Sequence, residues 1–180
     1  MAKVTIKGIP KLKENVKKLF EETRSDAQML IEIGEKTVEL TKAFNRAGKS
    51  PDGKAHKKLS KSWIDRKEKL TKTNKVSDFY ISGFSNLTFT GQLLDSIKLK
   101  KINQSEGSVI INATGPRKPY NNLNGKSVGT KNTPTNEKLV EYLRDMKRFV
   151  FGINKQIENN INRIVRKYLN KRIKETFRKK

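Results

Sequence analysis

The 180-residue chain contains no cysteine and only one histidine, His56. The absence of cysteine excludes disulfides, thiolate metal sites and cysteine nucleophiles, and a single histidine cannot build a multi-histidine zinc site. We interpret His56, in the turn-rich stretch SPDGKAHKKLS, as a solvated loop residue. No apolar run approaches the roughly 18 residues that a membrane-spanning helix needs, and the N-terminal MAKVTIKGIP lacks the apolar region of a signal peptide. The composition predicts a cytoplasmically made protein without a cofactor.

Acidic residues are also scarce. The chain has 18 Asp and Glu against 41 Lys and Arg, which gives a net charge of +23. Such a surface attracts nucleic acid, anionic membranes or acidic protein faces. Residues 155–180 hold ten Lys and Arg and two Glu, so their net charge of +8 (10 − 2) is about a third of the total. Abundant Lys and Asn also suit an AT-rich coding genome, so the charge alone does not establish DNA binding.

No constellation typical of an enzyme is present. The chain contains neither a phosphate-binding G-x-x-x-x-G-K-[ST] loop nor a dinucleotide-binding G-x-G-x-x-G. Most carboxylates lie near lysines at helical spacing, as in ordinary surface pairs. Asp65, Asp78 and Asp95 are the alternative, since three carboxylates brought together by the fold would bind a metal ion. We predict a protein that is not an enzyme.

The first half of the chain has a mainly helical pattern. VTIKGI (4–9) alternates apolar and polar residues, which predicts a short strand. Apolar residues at spacings of three and four then predict one continuous helix over 11–45, about 50 Å long, part of which packs on a neighbouring subunit. LSKSWIDRKEKL (59–70) predicts a short helix with Ser60 as its N-cap and Trp63 as a core anchor. Residues 71–85 predict an insertion loop or a short hairpin.

The stretch NLTFTGQLLDSIKLKK (86–101) is the most ordered-looking part of the chain. Thr90 suits an N-cap and Gly91 permits a tight turn into a short helical segment. Alternation in 97–102 and 106–114 then predicts a β-hairpin with its tip at 104–107. The following residues, 115–133, form a long loop of turn-forming residues, and loops of that length are usually functional or disordered.

The C-terminal part predicts helices separated by a break. Pro134-Thr135-Asn136 introduces one helix, RFVFG (148–152) interrupts the pattern, and an amphipathic helix runs from Ile153 to the end. The fold class is therefore α+β, a small antiparallel sheet or hairpin packed against a long N-terminal helix and a C-terminal amphipathic helix. We expect one domain over 1–180, with segments 1–48 (strand and long helix), 49–86 (loop and short helix), 87–114 (turn and hairpin), 115–133 (long loop) and 134–180 (helices).

The order of these features resembles the virion morphogenesis and tail completion proteins of long-tailed bacteriophages. The resemblance covers about residues 45–178 and rests on three short phrases in sequence. They are a phrase with Leu, Thr-Gly, Leu and Ser-Ile before a hairpin, a tyrosine-centred loop ending in glycine, and a phrase with Arg, Phe and Gly before the last helix. The matching positions here are Leu87, Thr90, Gly91, Leu94, Ser96 and Ile97, then Tyr120 and Gly125, then Arg148, Phe149 and Gly152. The chain departs from the family at Asp95, which is often basic there, and at Asn121, Asn122 and Asn124, where the family often has a histidine.

The resemblance implies a structural subunit of the phage neck, located in the virion. Such a subunit belongs to a homo-oligomeric ring that joins the head connector to the tail. Its partners would be portal, connector or adaptor proteins on one side and tail-tube or tail-terminator proteins on the other, with non-specific contact to packaged DNA. We expect the docking surfaces to be the loop 115–133, with Tyr120 and Gly125, and the basic last helix, with Arg163, Arg166, Lys167, Lys171 and Arg172.

The competing interpretation is a free basic protein that binds nucleic acid without sequence preference. Its support is the C-terminal helix, whose cations suit phosphate contacts that release counterions. Against it, no motif for reading bases is recognisable, and most aromatic residues fall on apolar stripes.

Overall fold

A computed structural model describes residues 9–78, 80, 91–128 and 134–177 of the chain. Within these residues the chain forms six helices and two pairs of antiparallel strands. The elements are α1 (Ile9–Arg24), α2 (Ala27–Arg46), α3 (Lys61–Thr71), α4 (Gln92–Asp95), β1 (Ile97–Asn103), β2 (Ser108–Ala113), β3 (Tyr120–Asn121), β4 (Ser127–Val128), α5 (Asn136–Asp145) and α6 (Lys155–Phe177).

The α+β class and the main hairpin are confirmed. β1 pairs with β2 in antiparallel register from Ile97–Ala113 to Asn103–Ser108, and a bulge interrupts the pairing between Leu99 and Lys101. The tip lies at 104–107, where predicted. A lone two-stranded hairpin is marginally stable, so it needs a supporting element, and α2 provides it by packing along both strands.

The prediction of one continuous helix over 11–45 is wrong. The chain leaves the helix at Ser25 and Asp26, and two helices replace the single rod. The carboxylate of Asp26 accepts a hydrogen bond from Met29 N–H at 3.0 Å, so Asp26 is the N-cap of a new helix. Aspartate is favoured at N-caps and unfavourable inside helices, because its side chain competes for backbone N–H groups.

Two buried apolar clusters lie along α2. The first joins the start of β1 to α5 and to the segment after it, and its buried members are Leu93, Leu94, Ile97, Ala113, Leu143 and Val150. The second joins α2 to α6 through Met29, Leu30, Ile33 and Ile164, with Ile102 and Val109 of the hairpin packed against it. α2 is thus the element shared by the sheet and the C-terminal helix.

Gly34 explains how closely the hairpin approaches α2. A Cβ atom at this position would lie 2.7 Å from Cδ1 of Leu99 on β1. Glycine inside a helix is unfavourable by about 1 kcal/mol relative to alanine, so its presence here is accounted for by the contact.

The short helix was placed correctly, but the role assigned to its tryptophan is wrong. Ser60 is the N-cap of α3 and accepts from Trp63 N–H. The Trp63 side chain is 52% exposed and lies under the guanidinium of Arg66, 5.2 Å from the ring centroid. Leu70 is the buried residue of α3, so this helix is attached by its C-terminal end.

Several predicted features lie wholly or partly outside the described residues. They are the predicted strand over 4–9, the proposed N-cap Thr90, Leu87 and most of residues 79–90. Of the predicted strand only Ile9 is described, and it lies in α1. The loop 115–133 is described as far as residue 128, where it contains the β3–β4 pair rather than irregular chain alone.

Candidate interaction surfaces

The corner before the hairpin is built into the core. Gly91 stands at the N-cap position of α4 with φ of +75°, a backbone conformation that favours glycine. Leu94 is 1% exposed and Ile97 is fully buried. Ser96 donates from Oγ to the carbonyl of Leu93 at 2.7 Å. These residues shape the fold by fixing the start of β1 in the core.

The third phrase, residues 148–152, is tied to the end of α2 by the buried amide of Asn45. Asn45 is fully buried and donates from Nδ2 to the carbonyls of Thr41 (2.8 Å) and Val150 (2.9 Å). Gly152 lies so close to the turn at 51–52 that a Cβ atom would be 3.3 Å from the backbone nitrogen of Asp52. This segment is therefore clamped between the C-terminus of α2 and the loop that follows it.

The interpretation of His56 as solvated is wrong. Its side chain is buried, and Nε2 lies 3.0 Å from Oδ1 of Asn45. Because Nδ2 of Asn45 already donates to two carbonyls, its Oδ1 must accept, so Nε2 of His56 carries the proton. Nδ1 is buried without a hydrogen-bond partner among the described residues. Burial, and the nearby positive charge of Arg148, lower the pKa of His56, which favours the neutral ring.

The described part of the loop 115–133 contains a hairpin over residues 120–128. The Asn74 side chain, just after α3, pairs with the backbone of Asn121 by donating to its carbonyl (2.8 Å) and accepting from its N–H (2.7 Å). Asn122 Oδ1 accepts from the N–H groups of Asn124 and Lys126, and this closes the turn. Tyr120 lies at the half-buried base of the hairpin. Gly125 is at the exposed tip with φ of +73°.

The basic residues singled out on α6 divide into two groups. Lys167 forms an ion pair with Glu32 (2.8 Å) and Arg172 forms one with Asp26 (3.1 Å), so both bind α2 within the same chain. Lys167 holds the pKa of Glu32 below its usual value. Burial opposes ionisation of Asp26, but the Met29 N–H and Arg172 lower its pKa nevertheless. The others, Arg163, Arg166 and Lys171, are exposed.

An apolar surface that the sequence patterns did not reveal lies at the end of α5 and beyond it. Tyr142 is 57% exposed, Met146 53%, Phe149 43% and Ile153 69%. We call residues 142–153 the apolar segment. Tyr142 and Met146 are one helical turn apart and extend the core face of α5 onto the surface. Exposed apolar side chains are the groups that protein contacts bury, so this segment is the candidate contact surface.

The described residues also form a groove of about 740 Å³, bordered by residues 74–78 after α3, the α4 corner and the residues before β3. Asp78 and Asp95 line it, and Asp95 is 3.6 Å from Arg46. Asp65 does not line it. No group of three His, Asp or Glu side chains able to hold a metal ion occurs in the described part of the chain, so the carboxylates considered from the sequence are not gathered into a site.

The residues that sequence reasoning missed are Asn45, Asn74 and the apolar segment. Each asparagine acts through a partner distant in sequence, for instance 105 residues away for Val150, so no local pattern marks it. Tyr142 and Met146 keep the helical spacing of the buried Leu143, so the sequence pattern does not distinguish them from the buried face of α5. Only the position of α5 on the hairpin shows that they extend past the core.

Comparisons with models of protein families, with curated proteins and with solved structures found no match for this chain. Within the described residues no helix has the length and the apolar character needed to cross a membrane.

Proposed function

We propose that this protein is a structural subunit of a tailed-phage virion, a neck or tail completion protein that forms part of the ring joining the head connector to the tail. The observation that carries the proposal is the apolar segment, whose exposed side chains a neighbouring subunit would cover. It lies on the same stretch as Arg148, Phe149 and Gly152, the positions that carry part of the resemblance to this family. A ring closes by repeated head-to-tail contacts between copies, so each subunit needs a surface of this kind.

Two further features support a subunit that neighbours complete. Within the described residues the β1–β2 hairpin pairs with no third strand, so its outer edges keep backbone groups free for pairing. Ile110, on the β2 face opposite the one that packs on α2, is 48% exposed. The hairpin of residues 120–128 adds a stiff projection, held at its base by Asn74 and carrying the exposed Leu123 and Gly125 at its tip. A portal-side or tail-side protein would dock there.

The proposal is tested first by sedimentation velocity over a range of protein concentrations. The net charge of +23 opposes association of identical chains, so the runs belong in about 1 M salt, where the Debye length is about 3 Å. We expect a discrete oligomer that dissociates in the double variant Tyr142→Ser/Ile153→Ser. The matched control is Trp63→Ser, which removes an equally exposed aromatic residue from α3 and should leave the oligomer intact.

The second arm measures binding to purified connector and tail-tube proteins of tailed phages. A chain that stays monomeric at every concentration and binds neither protein contradicts the proposal. Equal loss of assembly in the Trp63 control would show that general surface hydrophobicity, and not the apolar segment, drives association. A gene position beside portal and tail-tube genes is the independent observation that the proposal also requires.

A further inference from the structure

The solvent-facing side of α6 carries an uninterrupted row of basic and amide side chains. Asn159, Arg163, Arg166, Asn170 and Lys174 are all exposed and follow one another at spacings of four, three, four and four residues. Residues at these spacings lie on one face of a helix. We call this row the α6 ridge. Its 16 residues of helix span about 24 Å, at about 1.5 Å per residue.

The ridge is distinct from the cations that hold α6 in place. Lys167 and Arg172 form ion pairs with Glu32 of α2 and with its N-cap Asp26. In contrast, Arg166 and Lys174 form no ion pair with any of the described residues. Arg163 donates to the side-chain amide of Asn160 at 3.1 Å, a neutral partner that leaves its charge uncompensated. The two acidic residues of α6 lie off the ridge, since Glu158 pairs with Lys155 and Glu175 with Arg172.

From this arrangement we propose that the α6 ridge binds the phosphate backbone of duplex DNA. Arginine, lysine and asparagine side chains are the groups that proteins use for phosphate contacts, and the ridge holds them in one line. Its length is shorter than one turn of duplex, about 34 Å, so a single strand segment can run along all of it. The inference rests on the proposed function, in which the subunit surrounds a channel that DNA passes through.

The composition of the ridge distinguishes DNA from other anionic partners. A helix that lies on a membrane places large apolar residues beside its cations along its whole length, but from Asn159 to Asn170 the ridge has asparagines beside its arginines. Protein hot spots centre on buried aromatic or aliphatic anchors, and on this side of α6 Ile173 and Phe177 come only in the last two turns. Charge is the remaining recognition signal, which predicts binding without base preference.

The test is fluorescence anisotropy with a labelled random-sequence DNA duplex, titrated with the full-length protein at several salt concentrations. Each phosphate contact contributes about −0.9 to the slope of log K against log salt. The triple variant Arg163→Gln/Arg166→Gln/Lys174→Gln should reduce the magnitude of that slope by about 3. The double variant Arg163→Lys/Arg166→Lys keeps both charges and should preserve the slope. The loss of slope in the triple variant is then due to lost phosphate contacts and not to disruption of α6 by substitution at these positions.

The matched control removes three exposed cations from another surface, with Lys57→Gln/Lys58→Gln/Lys61→Gln. It makes the same change in net charge and should leave the slope nearly unchanged. Equal effects of the two triple variants would overturn the proposal, because binding would then follow total charge. So would a stronger effect of the ridge variant on binding to phosphatidylserine vesicles than on binding to DNA.

The two proposals fail in distinguishable ways. A chain that assembles normally, while its ridge variant keeps the full salt slope, overturns the DNA contact and leaves the ring intact. A chain whose ridge governs DNA binding but which never assembles overturns the ring, and then supports the free nucleic-acid-binding protein.

Discussion

Replacing Asn45 by alanine should be among the most destabilising single changes in this chain. The substitution leaves two buried groups without a partner, the Val150 carbonyl and the Nε2 proton of His56. An unsatisfied buried polar group costs about 1–3 kcal/mol, so we expect the free energy of unfolding to fall by about 3–4 kcal/mol. The Thr41 carbonyl adds little, because it still accepts the backbone hydrogen bond of α2.

The assay is urea unfolding followed by circular dichroism, at a protein concentration low enough for the chain to be monomeric, since assembly adds apparent stability. Asn170→Ala is the matched control because it removes an exposed asparagine from a helix, where the change should stay within about 0.5 kcal/mol. A double-mutant cycle with His56→Ala should give a coupling free energy of about 1 kcal/mol or more. A loss below about 1 kcal/mol for Asn45→Ala, or additive effects in the cycle, would refute the reasoning.

Two further predictions concern pH and backbone conformation. Because the pKa of His56 is lowered in the folded state, its contribution to stability is full above the ordinary value of 6.5 and is lost as pH falls below it. Urea midpoints between pH 8 and 5.5 should therefore decrease more in the wild type than in His56→Gln, and parallel profiles would contradict this. Gly91→Ala should lower the free energy of unfolding by about 1–2 kcal/mol, since alanine resists positive φ and its Cβ would lie 3.2 Å from Oδ2 of Asp95. Gly53 has a φ of +88°, and a Cβ atom there would meet no atom within 4 Å, so Gly53→Ala measures the backbone cost alone. An equal loss of stability in Gly53→Ala would show that the contact with Asp95 adds nothing to the cost of Gly91→Ala.

Local patterns predicted the elements that depend on neighbouring residues. The alternation in 97–102 and 106–114 predicted the hairpin because one of its faces packs on α2. Ser60 was recognised as an N-cap because a cap acts within three residues of itself. The N-cap at Asp26 is not evident from the sequence, because the helical spacing of apolar residues continues past it. The only local sign of a helix boundary there is a single carboxylate within the helical pattern.

Features that depend on distant partners could not be predicted. His56 lies among turn-forming and charged residues, and its buried hydrogen-bond partner Asn45 is bonded in turn to Val150, 105 residues away in sequence from Asn45. The apolar neighbours of Trp63 predict a place in the core, yet α3 is attached through Leu70 and leaves the indole at the surface. The division of the α6 cations into paired and unpaired groups required Glu32 and Asp26, which lie 135 and 146 residues away in sequence.

Taken together, the two proposals link assembly to DNA. Identical subunits of net charge +23 repel one another, and the contacts of the exposed apolar segment must overcome that repulsion at low salt. A polyanion on the α6 ridge would neutralise part of the charge on each copy and so lower the cost of bringing copies together. Linkage requires the effect to be reciprocal, so that assembled subunits bind duplex more tightly than isolated ones by the factor by which duplex strengthens assembly. Because salt screens the repulsion but also weakens phosphate contacts, duplex should promote assembly most at low salt, whereas without DNA assembly should increase with salt.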